Sequence, residues 1–277
     1  CNMASTFIRP PRRAAMSQVQ AVAPTIPPFW QRLNKFFLFP LHPEAMLYAA
    51  GLAACSYLFF VPLINIFVGL ALFLAVSRYA FKIAALASFG IFTIQDYTPR
   101  DEEEDWKYLP WKFVGASFVQ ALVVGWVVKI LPGLDEVGQL LLSLLIPATL
   151  MVLIKTSSFA ATLNPAELWR TVRGVGWSYL LLCLFLFLLM QGSAFAAGAL
   201  FVVIPRWLLL PGLTLVVIYF TWVMAAMIGY TMYQYHHALD IDVVEEYVGE
   251  DAAPANPREV ARRRDAEVAQ YVQQGEL

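Results

Sequence analysis

Apolar runs separated by short polar or proline-containing breaks occupy most of residues 46–235. A helix needs about 20 mainly apolar residues to cross the hydrocarbon core of a bilayer, and the pattern supplies six such segments. We expect them at about residues 45–61, 64–87, 111–131, 137–154, 177–197 and 207–236. The predicted fold class is therefore all-α, a polytopic transmembrane helical bundle with interfacial helices and a C-terminal cytoplasmic helix.

Two segments beside these spans mix basic, aromatic and aliphatic residues. Residues 30–44 have the composition of an amphipathic helix that lies on the membrane surface. Further along, Asn164 followed by Pro165 predicts a capped helix start. Arg170 and Arg173 of that second helix could reach lipid phosphates, so both segments are predicted to be interfacial.

The two ends of the chain differ from the middle. Residues 1–29 contain three arginines, five prolines and no long apolar run, which predicts disorder. Residues 30–240 form the predicted six-span domain, and 241–277 read as an acidic linker followed by a cytoplasmic helix. The first residue, Cys1, is compatible with an acylated lipoprotein end, but the favoured interpretation places the natural start at Met16.

Composition supports a membrane protein and excludes other classes. Hydrophobic residues make up 60% of the chain and charged residues 14%, whereas soluble domains average roughly 45–50% and about 25%. The mean hydropathy is +0.62. A formal net charge of −1 and the absence of a basic domain argue against a nucleic-acid partner. Three scattered cysteines are too few for a disulfide framework.

The distribution of Lys and Arg predicts the orientation. If both termini are cytoplasmic, seventeen of the nineteen fall on the cytoplasmic side, and only Lys129 and Arg206 fall outside. An excess of Lys and Arg marks the cytoplasmic loops of membrane proteins. We therefore expect a multi-pass protein of a bacterial inner (plasma) membrane.

The predicted cytoplasmic loop between the second and third spans is strongly acidic. Its charges are concentrated in Asp101, Glu102, Glu103, Glu104 and Asp105. A solvated charge run is the favoured interpretation, and a docking surface for a basic partner is the alternative. The partners expected are the lipid bilayer and other membrane or cytoplasmic proteins, or a second copy of the chain.

Charged residues inside membrane spans are costly and are retained mainly for function. No Asp or Glu lies in the middle of a predicted span, which disfavours proton-coupled transport through a carboxylate. Arg78 and Lys82 lie four residues apart near the cytoplasmic end of the second span. Snorkelling to the interface is the favoured role, and a lipid-phosphate or anion site is the alternative.

Histidines are the remaining candidates for site chemistry. His236, His237 and Asp240 are weak metal-ligand candidates, because His236 and Asp240 would share a helix face. Catalytic zinc needs three protein ligands and structural zinc four, so an interfacial histidine and tyrosine belt is favoured. We predict no catalytic residue, no resident metal and no cofactor.

Small residues recur where helices could approach closely, in the patterns Gly51–Cys55 and Ala225–Gly229. Such spacing allows close packing of membrane helices. Packing within the chain is favoured over contacts between protomers.

The segments SRYAFK (77–82) and LNPAELWRTVRGVGWSYLLL (163–182), with the acidic loop between them, carry a family resemblance. Over residues 30–240 the layout resembles uncharacterised bacterial polytopic membrane proteins and is distantly similar to the Yip family. The resemblance implies a helical membrane domain suited to interactions, and no functional residue carries over from it.

Two functional hypotheses follow. The first is a non-enzymatic membrane accessory or scaffold protein that binds partners through its cytoplasmic loops and tail. The second is a small-molecule or lipid carrier with a cavity around Pro147, Gln120 and Gln191, in which Arg78 and Lys82 receive an anionic group. An enzymatic role for the histidines ranks last.

Overall fold

The structure is a computed structural model, which describes residues 26–90, 108–131 and 133–241. Within these ranges the chain is helical and contains no strand. Most of the predicted disordered N-terminus, the acidic residues 101–105 and the predicted C-terminal helix lie outside the described residues.

The described part of the chain consists mainly of α-helices. Brief 3-10 helices also occur at Phe29–Gln31, Phe39–Leu41 and Ser56–Phe60. The α-helices are α1 (Leu33–Leu38), α2 (Pro43–Cys55), α3 (Asn65–Ser88), α4 (Leu109–Ile130), α5 (Asp135–Thr156), α6 (Phe159–Leu163), α7 (Pro165–Val175), α8 (Trp177–Val203), α9 (Arg206–Gln234) and α10 (His236–Leu239).

Five helices are long and apolar enough to cross a membrane, namely α3, α4, α5, α8 and α9. They coincide with the second to sixth predicted spans. A single segment that crosses lipid must satisfy its backbone hydrogen bonds internally, and an α-helix does so. The break between α8 and α9 is shorter than the predicted 198–206. It is confined to Ile204 and Pro205, since proline disfavours a helical conformation in the residue before it.

The first predicted span, 45–61, takes a different form. The α-helix there has 13 residues, and a 3-10 helix of five residues follows it. At the rises of these two helix types, α2 is about 20 Å long and the 3-10 helix adds roughly 10 Å. Val61 then adopts an extended conformation ahead of Pro62, which ends the segment.

The N-terminal segment lies alongside α9 from one end of that helix to the other. The Tyr230 hydroxyl donates to the Pro27 carbonyl at 2.7 Å, and the Phe29 amide donates to Gln234 Oε1 at 3.0 Å. Thirty residues further along, the Tyr57 hydroxyl donates to the Trp207 carbonyl at 2.9 Å. Residues 27–57 therefore run antiparallel to α9 over nearly its whole length.

Helices α3 and α9 pack in parallel and form the centre of the bundle. Trp222 Nε1 donates to the Val76 carbonyl at 3.4 Å. About two turns later, a Cβ added at Gly229 would lie 2.3 Å from the Ala84 carbonyl oxygen. The glycine of the Ala225–Gly229 pattern thus serves close packing within the chain, as the sequence favoured.

The outer surface of the bundle is apolar. Leu63, Phe195 and Val202 are 88%, 82% and 87% exposed, and other large aliphatic and aromatic side chains accompany them. Soluble monomers rarely expose contiguous apolar surface on this scale. Together with the five long helices, this surface identifies a membrane-embedded protein.

Candidate functional site

One end of the bundle is built from several helix ends and short helices. Lys112 Nζ, near the start of α4, donates to the carbonyl of Ser157, just after α5, at 2.7 Å. The hydroxyls of Ser178 and Tyr235 lie 2.5 Å apart and join the start of α8 to the end of α9. The end of α3 also lies here, because Gly90 approaches the ring of Tyr233. We call this the basic end.

The name follows from the charges. Of the ten Lys and Arg residues within the described ranges, eight lie in the half of the bundle nearer this end; Lys129 and Arg206 lie at the opposite end, near Asp135 and Glu136. The eight are Arg32, Lys35, Arg78, Lys82, Lys112, Lys155, Arg170 and Arg173.

Helix α7 lies at the basic end and begins as the sequence predicts. The Asn164 side chain accepts a hydrogen bond from the Ala166 amide at 3.0 Å, which caps the helix. Leu168 is buried and Trp169 is 66% exposed, so the two do not share a face. The exposed Trp169 is the type of side chain that sits at the level of lipid headgroups.

The candidate anion-binding arginines of α7 differ in their surroundings. Arg170 Nη2 pairs with Asp240 Oδ2 at 2.8 Å, and both side chains are largely exposed. Arg173 is exposed on the same helix. The Arg170–Asp240 pair connects α7 to the residue that ends α10, and at this exposure it contributes at most about 1 kcal/mol.

The two basic residues of α3 are placed differently from each other. Arg78 is exposed, and Lys82 is half-buried one turn closer to the basic end. Both lie within the long apolar helix, where a flexible basic side chain can extend toward the headgroups. The anion site suggested for them stays a prediction.

The histidines at the end of α9 lie together without assembling a metal site. The rings of His236 and His237 are 3.9 Å apart, and His236 Nδ1 lies 2.8 Å from the Tyr233 carbonyl oxygen. Asp240 is directed to Arg170 instead. In the described ranges, no three His, Cys, Asp or Glu side chains converge as metal ligands would.

A buried amide links three helices inside the bundle. Gln120 Nε2 of α4 donates to Thr149 Oγ1 of α5 at 2.9 Å and to the Thr162 carbonyl of α6 at 3.0 Å. The bond to Thr149 joins the side chains of two long apolar helices. Because polar groups in lipid find few other partners, the link fixes α4 against α5.

A tyrosine hydroxyl is inserted into α5 beside Pro147. The Ala148 amide donates to Tyr179 Oη at 3.0 Å, and the same hydroxyl donates to the Leu144 carbonyl. In a regular helix that amide and that carbonyl would bond to each other. Tyr179 of α8 thus bonds to the donor and the acceptor of one helical hydrogen-bond position. Insertion of a side chain at such a position is a recognised cause of helix kinks.

Beside Pro147 lies a cavity of about 420 Å³. Its walls come from α3, α4, α5, α8 and α9. Their contributions are mainly aliphatic and aromatic, for example Phe81, Phe113, Pro147, Leu186 and Ile228. The cavity is therefore a hydrophobic chamber inside the membrane-spanning part of the protein.

The few hydroxyls in the cavity wall are largely occupied by their own helices. Ser143 donates to the Gln139 carbonyl at 2.9 Å, and Thr221 donates to the Val217 carbonyl at 2.7 Å. The wall includes Pro147, as the carrier hypothesis expected, but it does not include Gln120 or Gln191. It offers an apolar ligand a suitable surface and offers a polar solute little.

Comparison with known proteins gives no match among protein families, curated proteins or solved structures.

Sequence reasoning associated Pro147 with a cavity but missed the Tyr179 hydroxyl beside it and the set of helices that form the cavity wall. Tyr179 lies 31 residues after Ala148, and nothing local in the sequence pairs them. The cavity likewise depends on which helices are neighbours. A partial signal existed, since the small residues Ala80, Ala84 and Ala225 recur on the faces that line it.

Proposed function

We propose that the chain is a multi-pass protein of a bacterial inner (plasma) membrane, with the basic end and both termini in the cytoplasm. The proposal is supported by the charge asymmetry, since eight described Lys and Arg residues lie in one half of the bundle and two at the other end. Loops rich in Lys and Arg remain in the compartment of synthesis.

Six crossings are the topology that we favour. The observation that supports a sixth is the path of residues 27–57 along α9, from contact with Gln234 at one end to contact with Trp207 at the other. The α2 and 3-10 segments together approach the roughly 30 Å of a hydrocarbon core. An even number of crossings keeps Pro27 and Gln234 on the same side.

Within this topology we propose a non-enzymatic accessory or scaffold role, carried by the basic end. The observation that carries it is the construction of that end. The Arg170–Asp240 pair connects the short helices α7 and α10, and the Lys112–Ser157 hydrogen bond connects α4 to the residue after α5. Such a fixed surface suits binding of anionic headgroups and of partner proteins, and the acidic residues 101–105 follow a helix that ends there.

Reporter fusions and matched charge variants test this proposal. A reporter active only in the cytoplasm should be active at Leu277 and inactive in the connection between α4 and α5. Neutralising Asp101–Asp105 with Asn and Gln should remove defined co-purifying chains from native membranes, whereas neutralising Asp135 and Glu136 at the opposite end should not. Ends found on opposite sides would refute the topology, and unchanged co-purification would refute the role of the acidic residues.

A second candidate function is a lipid or small-molecule carrier, and the cavity favours it. The anion site predicted for this carrier comprises Arg78 and Lys82. Both residues lie on α3, next in sequence to the cavity-wall residues Ser77 and Phe81. Vesicles containing the protein should then move a labelled lipid or anion faster than vesicles without it. The double substitution of Arg78 and Lys82 by Gln should lower that rate, and an unchanged rate would exclude this site.

A further inference from the structure

The length of the cavity along the helices matches the hydrocarbon thickness of one bilayer leaflet. Along α3 its wall extends from Phe73 to Ala84, and along α5 from Ser143 to Ile154. Each stretch covers about 16 Å at the helical rise of 1.5 Å per residue. The hydrocarbon core is about 30 Å thick, so one leaflet contributes roughly 15 Å.

The cavity lies in the half of the bundle nearer the basic end. Ile154 is two residues before the end of α5, and Phe113 is four residues after the start of α4. At that end Phe81 and Phe113 pack with Leu109 and Leu153 in a buried cluster. The next residues outward include Lys112 and Lys155, which bring positive charge to the headgroup level.

The volume fits a single long hydrocarbon chain. An apolar cavity of about 150 Å³ stays free of water and accommodates benzene, with its six carbons. On that scale, about 420 Å³ holds on the order of 15 carbon atoms. Water would gain little there, because the wall hydroxyls of Ser143 and Thr221 are bonded to their own helices.

A hydrocarbon chain can reach the cavity from the surrounding lipid. Phe73, Ile146, Phe187 and Met190 belong to the cavity wall and are also 46%, 44%, 58% and 60% exposed. The cavity therefore lies directly behind the apolar outer surface of the bundle. The molecules that face that surface in a bilayer are lipids.

We propose that this cavity is a binding site for one hydrocarbon chain, taken from a lipid of the leaflet at the basic end. The hydrocarbon chain lies along α3 and α5, and the polar group of the lipid points toward the basic end. The inference does not depend on the scaffold role. It names the ligand class for the carrier candidate without requiring transport, so binding and transport can fail separately.

A photoreactive lipid tests the site directly. The full-length protein is placed in vesicles that contain phosphatidylglycerol with a diazirine in the middle of one acyl chain. After irradiation, the labelled residues are mapped by peptide mass spectrometry. We expect labelling of wall residues such as Cys183 and Met224 to exceed that of Phe195 on the outer surface. Equal or weaker labelling of the wall would overturn the proposal.

A second arm uses a free fatty acid with the same diazirine. Labelling of the wall by the phospholipid identifies a membrane lipid as the source of the chain. Labelling of the wall by the fatty acid alone would overturn the assignment of the site to a membrane lipid. The absence of wall labelling by both probes contradicts the site.

A pair of substitutions on α3 provides the matched control. Ala80→Phe places a ring at the cavity wall, and Ala71→Phe places the same ring at an exposed position on another face of the helix. The first should lower wall labelling roughly tenfold, because each displaced methylene group weakens apolar binding several-fold. The second should leave it unchanged. Equal labelling of both folded variants would refute the site, and the wild-type mapping decides the question if Ala80→Phe does not fold.

Discussion

Replacing Gly229 by alanine should separate the two central helices. An added Cβ would lie 2.3 Å from the Ala84 carbonyl oxygen and 2.6 Å from Ala87 Cβ. Ordinary contacts of a Cβ begin near 3.4 Å, so the space is short by about 1 Å. Both obstacles belong to backbone or to a side chain without rotamers, so neither can rotate away.

The cost has two opposing parts. Overpacking a close contact costs about 1–3 kcal/mol, whereas alanine gains up to about 1 kcal/mol over glycine in a helix. The clash should win, because the displaced backbone of α3 also carries the Val76 carbonyl that accepts from Trp222. We expect a net loss of roughly 1–2 kcal/mol, or a few degrees in Tm for a protein of this size.

Thermal unfolding in mild detergent, followed by intrinsic fluorescence, measures the effect. The matched control is Gly198→Ala in α8, because a Cβ there would meet nothing within 4 Å. That variant should equal the wild type or exceed it in Tm. If Gly229→Ala is as stable as Gly198→Ala, then α3 and α9 do not meet at this glycine and the parallel packing described above is wrong.

Three further experiments test the polar contacts. Tyr179→Phe should lower the free energy of unfolding by about 1 kcal/mol, measured in the same melts, and an unchanged Tm would show that the hydroxyl is not inserted in α5. Gln120→Leu should lower the free energy of unfolding by roughly 0.6–1.7 kcal/mol, because it removes the hydrogen bonds to α5 and α6. Gln191→Leu, on the exposed face of α8, should leave the free energy of unfolding unchanged. Equal effects of the two substitutions would contradict the contact between these helices. A double-mutant cycle on Arg170 and Asp240 should give a coupling below about 1 kcal/mol that falls with added salt, and a larger, salt-independent coupling would mean that the pair is buried.

Local signals made much of the helix pattern predictable. The apolar runs located five long helices, and the asparagine and proline at 164 and 165 marked the start of α7 because capping depends on adjacent residues alone. The pattern at 45–61 was less informative. Apolar content over 17 residues predicts one span, but it does not distinguish a single α-helix from α2 followed by a 3-10 helix.

The contacts between helices could not be predicted in the same way. Hydrophobic periodicity is weak when every face of a helix is apolar, because lipid and neighbouring helices both accept the same side chains. The sequence therefore suggested Gly229 as a packing residue without naming Ala84 as its neighbour. It also associated Pro147 with a cavity without identifying the hydroxyl of Tyr179, which accepts from the amide of the next residue.

The two faces of α5 explain why a cavity persists beside a well-fixed helix. On one face Thr149 is bonded to Gln120 and the Ala148 amide to Tyr179, so the helix cannot shift without breaking these bonds. On the other face Pro147 and Leu150 border the cavity. Polar bonds on the first face hold the helix in place beside the cavity. A hydrocarbon chain from the bilayer would make dispersion contacts with this wall at no cost in hydrogen bonds.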